Sequence, residues 1–129
     1  MKKFLKLFAI VLLFQSFQCD DNIENKNQAA QLESLQLKEQ SIKDYIAGFS
    51  CDANSTCEVI AFGSKACGGP KEYLVYSSAV DVNYLINQVE AYNEQEAIYN
   101  VQFSIVSDCA LVAPPANVAC VEGICKILP

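Results

Sequence analysis

The sequence predicts an α+β fold, a small antiparallel sheet with two helices packed on one face, stapled by three disulfides. Two segments repeat apolar side chains at helical spacing, and short runs of β-branched and aromatic residues stand between turn residues. Six cysteines follow residue 50, and the first residues are typical of an export signal. A chain of 129 residues leaves room for one such domain.

The N-terminal segment has the order of a secretory signal. A basic start at 1–3 precedes an apolar run at 4–14, which only Lys6 interrupts. This run is shorter than the roughly 20 residues that a membrane-spanning helix needs. We therefore predict that residues 1–18 are a lipoprotein signal peptide.

Cys19 stands where bacterial lipoproteins carry the cysteine that receives diacylglycerol. The stretch resembles a lipobox, although Gln18 occupies a position where a small residue is usual. Seven cysteines are an odd number for an exported chain, and setting Cys19 aside leaves six. We predict that Cys19 is lipidated and anchors the protein in the bacterial outer membrane; a free or intermolecular cysteine is the alternative. Asp20 and Asp21 resemble the acidic residues that follow this cysteine in surface-displayed lipoproteins.

Residues 19–30 are predicted to be a polar tether, because their composition buries too little surface to fold. The pattern becomes helical from residue 31 to Gly48, which is placed to end the helix in a left-handed cap. The apolar stripe of this helix consists of Leu32, Leu35, Ile42, Tyr45, Ile46 and Phe49. A single disulfide-rich domain is therefore expected over 31–129.

Two strands are predicted at 57–62 and 73–77 from their β-branched and aromatic residues. Between them, Cys-Gly-Gly-Pro at 67–70 forces a tight excursion, since glycine allows positive φ and proline fixes φ at the exit. Tyr73 and Tyr76 point to opposite faces of the second strand, so at least one is expected at the surface. We consider both as binding residues, with an ordinary place in the core as the alternative.

The clearest predicted element is a second helix, which Asp81 can cap. Its apolar side consists of Val82, Leu85, Ile86, Val89, Tyr92 and Tyr99. Three glutamates, Glu90, Glu94 and Glu96, are predicted to fall on the face that meets water.

Short strands and turns are expected after Asn100. Strand candidates lie at 101–106 and 110–113, and the two prolines at 114–115 stop the second of them. A hairpin over 117–128 is expected to turn at Glu122-Gly123.

Six cysteines remain for disulfide bonds: Cys51, Cys57, Cys67, Cys109, Cys120 and Cys125. Six cysteines allow 15 pairings, and the sequence does not choose among them. One pair has a geometric argument, because a two-residue turn places Cys120 opposite Cys125 at about 4.5 Å between Cα atoms. Cys51 and Cys57 could close a second small loop around the polar turn at 52–56, and Cys67 and Cys109 would then be left to pair.

The composition excludes several chemistries. The sequence has no histidine, which removes Ser-His-Asp and Cys-His catalysis and histidine metal ligands. Cys120 and Cys125 have zinc-like spacing, but an exported chain favours a disulfide, and we predict no metal and no cofactor. A thiol at Cys67 beside Lys65 is an alternative to a bridged cysteine.

The charge balance argues against nucleic acid as a partner. After Cys19 the chain has 6 Lys and 15 Asp or Glu, a net charge of −9, and the whole sequence has no arginine. A surface of this charge repels phosphate backbones, and acidity of this kind mostly gives solubility.

Several motifs together resemble an uncharacterised family of small secreted or lipid-anchored bacterial proteins. They are the residues at 63–70, Tyr-Leu-Val-Tyr-Ser-Ser at 73–78, Tyr-Asn at 92–93, Ser-Asp-Cys at 107–109 and Cys-x4-Cys at 120–125. The resemblance covers roughly residues 50–127. It implies export and disulfide bonds, and it supplies no catalytic residues.

The function expected from these observations is a non-enzymatic binding or structural module, held at the cell envelope by a lipid anchor. Its partner is expected to be an extracellular or periplasmic protein. The alternative is a secreted proteinase inhibitor, whose exposed loops would lie at 68–70 or 113–115. A third reading is an enzyme that uses Tyr, Asp or Glu alone, which would need a cleft that brings carboxylates together.

Overall fold

The computed structural model describes residues 21–129, which form two helices and two small antiparallel sheets. The elements, in chain order, are α1 (Asp21–Ala47), β1 (Cys57–Phe62), β2 (Glu72–Ser77), α2 (Val82–Gln102), β3 (Val118–Val121) and β4 (Ile124–Ile127). The predicted α+β class is confirmed. The predicted signal peptide and the predicted lipidation site, Cys19, lie outside the described residues. No helix within 21–129 is long and apolar enough to cross a membrane.

Helix α1 begins ten residues before the predicted start, so the polar segment from Asp21 onward is helical. From residue 25 to residue 30 its side chains are mostly exposed, as their composition predicts. The helix packs against α2 through Leu35 and Ile42, which are both buried. Because that contact anchors the second half of α1, the preceding polar turns extend an existing helix and need no separate nucleation.

Strands β1 and β2 pair in the antiparallel register Cys57↔Ser77 to Phe62↔Glu72, so both predicted strands are confirmed. Side chains alternate between the two faces of the hairpin. One face contributes Phe62, Leu74 and Tyr76 to the core, where both helices meet it. The opposite face carries Cys57, which a disulfide joins to the β3–β4 hairpin.

Helix α2 begins as predicted, with the Asp81 side chain accepting a hydrogen bond from the backbone N–H of Tyr84 at 3.0 Å. It continues to Gln102, and no strand follows until β3. The strands predicted at 101–106 and 110–113 are therefore wrong. The helix ends where Phe103 contacts Tyr99, with ring centroids 4.9 Å apart. This contact with the core continues the helical periodicity beyond Asn100.

The predicted hairpin is confirmed as β3 and β4, with Glu122 and Gly123 in its two-residue turn. Both turn residues have positive φ, of 54° and 81°, as a type I′ turn requires. The hairpin packs against β1 and β2 without hydrogen-bonding to them as a ladder. The molecule therefore has two separate two-stranded sheets, where we expected one.

The disulfides are Cys51–Cys120, Cys57–Cys125 and Cys67–Cys109. The last pair is the predicted one, whereas Cys120–Cys125 and Cys51–Cys57 are wrong. Cys120 and Cys125 do lie opposite each other in the hairpin. Each is bonded instead to the segment before or at the start of β1, so the two bridges fasten the hairpin to the sheet.

Candidate functional site

A network of hydrogen bonds and ion pairs centres on Glu96, which is buried, whereas the lysines of the network are partly exposed. The carboxylate accepts hydrogen bonds from the backbone N–H of Ser64 at 2.7 Å, from Lys71 Nζ at 2.6 Å and from Tyr92 Oη at 3.3 Å. The prediction that Glu96 faces water is wrong, since the residue is buried. The helical spacing does indicate a buried position for Glu96, because the buried residues of α2 lie at 85, 89, 92, 96 and 99.

Tyr92 joins this network to α1. Its ring stacks on Phe62 with centroids 4.4 Å apart, and its hydroxyl lies 3.2 Å from the Glu39 carboxylate and 3.3 Å from that of Glu96. Burial, together with the charges of Glu96 and Glu39, raises the pKa of Tyr92. The hydroxyl therefore stays protonated at neutral pH and connects the two helices.

Lys43 extends the network to β2, because its Nζ lies 2.8 Å from Glu39 and 2.7 Å from Glu72. The hydrogen bond from Lys43 holds the pKa of Glu39 below its usual range, although burial opposes this effect. The same ammonium lies 5.7 Å from the ring centroid of Phe62. Among the side chains that the structure describes, those of residues 25–129, no fully buried nitrogen or oxygen lacks a hydrogen-bond partner. The carboxylates of Glu39 and Glu96 both contact the Tyr92 hydroxyl, as an enzyme without histidine would need, but this hydroxyl lies in the core and not in an open cleft.

Above this network lies an open groove of about 670 Å³. Its floor and walls come from α1, α2, the β1–β2 loop and the segment after α2. The lining residues are Leu32, Leu35, Ser64, Lys65, Ala66, Lys71, Glu96, Tyr99, Asn100, Ile105, Val106, Ser107, Asp108 and Val112. Most of this lining is apolar, and its four charged groups form two ion pairs.

The β1–β2 loop is fixed to α2 at the groove. Asn93 accepts the backbone N–H of Gly63 at 2.7 Å, and Asn100 donates to the backbone carbonyl of Ser64 at 2.7 Å. Gly63 has a φ of 78°, and a Cβ there would lie 2.8 Å from the side chain of Lys71. A glycine is required because the backbone is left-handed and the lysine packs against it.

Lys65 fixes the opposite wall of the groove, and its side chain is only 10% exposed. Its Nζ forms an ion pair with Asp108 and donates to the backbone carbonyl of Ala110 at 2.7 Å. The hydrogen bond and charge of Lys65 lower the pKa of Asp108. The Cys67–Cys109 disulfide crosses the same gap, so Cys67 is a bridged cysteine and not a free thiol.

The segment that these contacts hold is apolar and exposed. We call residues 105–117 the bridged segment, because Cys109 ties it to the β1–β2 loop. Val106 is 90% exposed and Leu111 is 92% exposed, whereas Val112 is half-buried against the groove. The side chains of Val106 and Leu111 are thus exposed, while the Cys67–Cys109 disulfide and Lys65 hold the backbone between them. No periodic pattern predicts this arrangement, because the segment has neither helix nor strand.

The two tyrosines proposed as binding residues lie elsewhere. Tyr76 is buried in the core, where it donates to Glu58 at 3.0 Å and where burial raises its pKa. Tyr73 lies on the opposite face of β2 and is half-buried. The structure does not bring the two together, and neither lines the groove. Of this pair, Tyr73 is the one with surface exposed to a partner.

One cluster of sulfur atoms has the spacing of metal ligands. The Sγ atoms of Cys51, Cys57 and Cys125 lie within 4.8 Å of one another. All three belong to disulfides, and a metal ligand must be a thiolate. The cluster is therefore a pair of adjacent bridges. No protein-family model, curated protein or solved structure matches this chain.

Proposed function

We propose that this chain is a non-enzymatic binding module, anchored to the bacterial envelope, whose partner is an extracellular or periplasmic protein. The observation that carries the proposal is the bridged segment. Val106 and Leu111 are almost fully exposed, yet the backbone between them is fixed by Lys65 and by the Cys67–Cys109 disulfide. Large apolar side chains on fixed backbone lose little conformational entropy when a partner covers them.

The anchor is consistent with a binding role for this surface. Cys19 precedes α1 by two residues, and the helix rises about 1.5 Å per residue. Leu35, at the groove, therefore lies about 20 Å along the helix from Asp21. The intervening side chains from residue 25 are mostly exposed and polar, so α1 serves as a spacer between a lipid on Cys19 and the groove.

The chemistry of the described residues favours binding over catalysis. The sequence has no histidine, and the six cysteines after residue 50 are all in disulfides. The Tyr92 hydroxyl lies in the core between two carboxylates, where no substrate reaches it. Glu96 already accepts three hydrogen bonds. The hydrogen bonds of Tyr92 and Glu96 thus connect α1, α2 and the β1–β2 loop.

The first experiment examines the anchor and the surface in native cells. Intact mass of the membrane-purified protein should give an acylated Cys19 and six thiols that appear only on reduction. A photo-cross-linking residue at position 106 should then capture a protein, whereas the same residue at Asn87, which is exposed on α2, should not. An unacylated chain would contradict the anchor. Equal capture from both positions, or none from either, would contradict the binding surface.

A second candidate function, a proteinase inhibitor, is favoured by the way the exposed loops are held. The β1–β2 loop and the bridged segment are both stapled by Cys67–Cys109, and Gly68 and Gly69 are exposed beside it. Small disulfide-stapled domains suit inhibition, because a rigid loop lowers the entropy cost of binding. A panel of proteases that shows no inhibition at about micromolar protein would exclude this candidate.

A further inference from the structure

We propose that Leu111 is the side chain with which this domain fills the specificity pocket of a serine protease that prefers large apolar residues. The Leu111–Val112 peptide bond would then be the reactive bond. This inference rests on the proposed binding function and names the class of its partner. It also moves the inhibitory loop away from the two positions suggested by the sequence, 68–70 and 113–115, to the centre of the bridged segment.

The first support is the state of the backbone around Leu111. Proteases bind a substrate segment whose main-chain groups are free to pair with the enzyme as an added strand. Within residues 21–129, no backbone–backbone hydrogen bond involves residues 106–116. Non-glycine residues with positive φ occur only at Ser104 and Glu122, so the segment has no left-handed kink within it. Lys65 and Asp108 hold the backbone of Ala110, whereas no backbone–backbone hydrogen bond involves Leu111 or Val112, so the main chain at the proposed reactive bond is open to a partner.

The second support is the side chain itself. Leu111 is 92% exposed, the largest exposed fraction among the large apolar residues described. It is flanked by Ala110 and by Val112, which is half-buried at the groove. A single long apolar side chain between two less prominent neighbours fits one pocket, whereas a broad apolar patch would fit a flat interface.

The third support is that the segment is fixed on both sides of the proposed reactive bond. Cys109 is two residues before Leu111, and Lys65 donates to the carbonyl of Ala110. On the other side, two prolines at 114–115 restrict φ, and the carbonyl of Asn117 accepts the N–H of Leu128 from the hairpin. The loop therefore enters a protease with most of its conformational entropy already lost.

This geometry also explains why cleavage would not release the inhibitor. The protease serine oxygen attacks the Leu111 carbonyl carbon, the C–N bond to Val112 breaks, and the Val112 nitrogen takes the proton. The new ends of the acyl-enzyme stay in place, because Cys109 holds one and Cys120, bonded to Cys51, holds the other. Before water hydrolyses the acyl-enzyme to a Leu111 carboxylate, the Val112 amine attacks the acyl carbon. The C–O bond to the serine then breaks, the serine oxygen takes the proton from the amine, and the peptide bond forms again.

The test measures inhibition of chymotrypsin, subtilisin and elastase by the mature protein in mild detergent. We expect an inhibition constant below about 1 μM for at least one of them. Leu111→Gly should weaken inhibition by about 100-fold, the usual effect of removing a central anchor. Leu111→Arg should transfer inhibition to trypsin. The control is Leu37→Ala, which removes an exposed leucine side chain from α1, outside the groove and the bridged segment, and should leave inhibition unchanged.

Three results would overturn the proposal. One is no inhibition of any enzyme at about 10 μM protein, and another is equal loss in the Leu111→Gly and Leu37→Ala variants. The third is rapid and complete cleavage at Leu111–Val112, which would make the domain a substrate. Each of these leaves the binding function open to its own test, since capture of a protein at position 106 does not depend on the partner being a protease.

Discussion

The core and the bridged segment are held together by different kinds of interaction. In the core, Phe62, Leu85 and Tyr92 are almost completely buried, and the Glu96 network satisfies the polar groups among them. The bridged segment has no internal backbone ladder, and one disulfide and one lysine fix it to the loop opposite. The comparison indicates that packing stabilises the fold, whereas covalent and ionic contacts hold the exposed surface in one conformation. These two roles should respond separately to mutation.

The largest expected effect is in the core. Leu85→Ala removes a side chain with no exposed surface, so the free energy of unfolding should fall by about 2–5 kcal/mol. Urea denaturation followed by far-UV circular dichroism measures it. The control is Ile98→Ala on the same helix, where the side chain is 56% exposed and the expected change is within about 0.5 kcal/mol. Equal losses in both variants would mean that α2 does not bury the face described.

The next effect separates the two regions directly. Replacing Cys67 and Cys109 together by serine opens a crosslink between residues 42 apart, which should lower the unfolding free energy by about 2–4 kcal/mol. Because the core contacts remain, limited proteolysis under native conditions should now cut within the bridged segment before it cuts α2. Simultaneous cleavage of both elements would show that the disulfide is part of the core and not only a staple for the surface.

A smaller effect is expected from the ionic network. Glu96→Gln keeps the shape but removes the charge that Lys71 and the N–H of Ser64 meet, so stability should fall by about 1.5–3 kcal/mol. Glu94→Gln, at an exposed position of the same helix, should change stability by less than about 0.5 kcal/mol. Chemical denaturation of the two variants measures the difference in their unfolding free energies. Equal unfolding free energies would contradict the burial of Glu96.

The smallest effect is a dependence on acid. Since Lys43 lowers the pKa of Glu39 in the folded state, Glu39 stabilises the fold above its unfolded pKa of about 4.3. That contribution is lost as the pH falls through the lower folded value. Urea midpoints measured from pH 6 down to about pH 3 should decrease, and the decrease should be shallower in Glu39→Gln. Identical pH profiles of the wild-type and Glu39→Gln proteins would show that the ion pair between Glu39 and Lys43 does not stabilise the fold.

Local signals in the sequence were sufficient for the regular elements. The strand at 57–62, the cap at Asp81 and the turn at Glu122-Gly123 each depend on neighbouring residues, and each is confirmed. The burial of Glu96 also had a local signal in the spacing of the α2 stripe, but its charge favoured the wrong interpretation. A glutamate is buried there because Lys71 and a loop N–H reach it from distant parts of the chain.

What the sequence did not predict depends on contacts between distant residues. The hairpin register was predicted correctly and places Cys120 opposite Cys125. Both cysteines nevertheless form disulfides with Cys51 and Cys57, much earlier in the sequence, because the hairpin packs against β1 and β2. The exposure of Leu111 likewise depends on distant residues that hold the bridged segment. Lys65 pairs with Asp108, 43 residues further along the chain, and Cys67 bonds to Cys109, 42 residues further along. No pattern within the segment at 105–117 encodes these partners.

For a chain exported as we propose, the two bridges of the hairpin have a consequence for maturation. Cys51 and Cys57 would leave the translocation channel first, while their native partners lie 69 and 68 residues further along the chain. Closing the short loop between Cys51 and Cys57 costs less entropy than waiting for either partner. We therefore expect a transient Cys51–Cys57 bond that a disulfide isomerase must undo, and trapping thiols during export should reveal it. The order in which the cysteines emerge would then make this domain dependent on a thiol–disulfide exchange enzyme, even though the folded protein has no free thiol in the described residues.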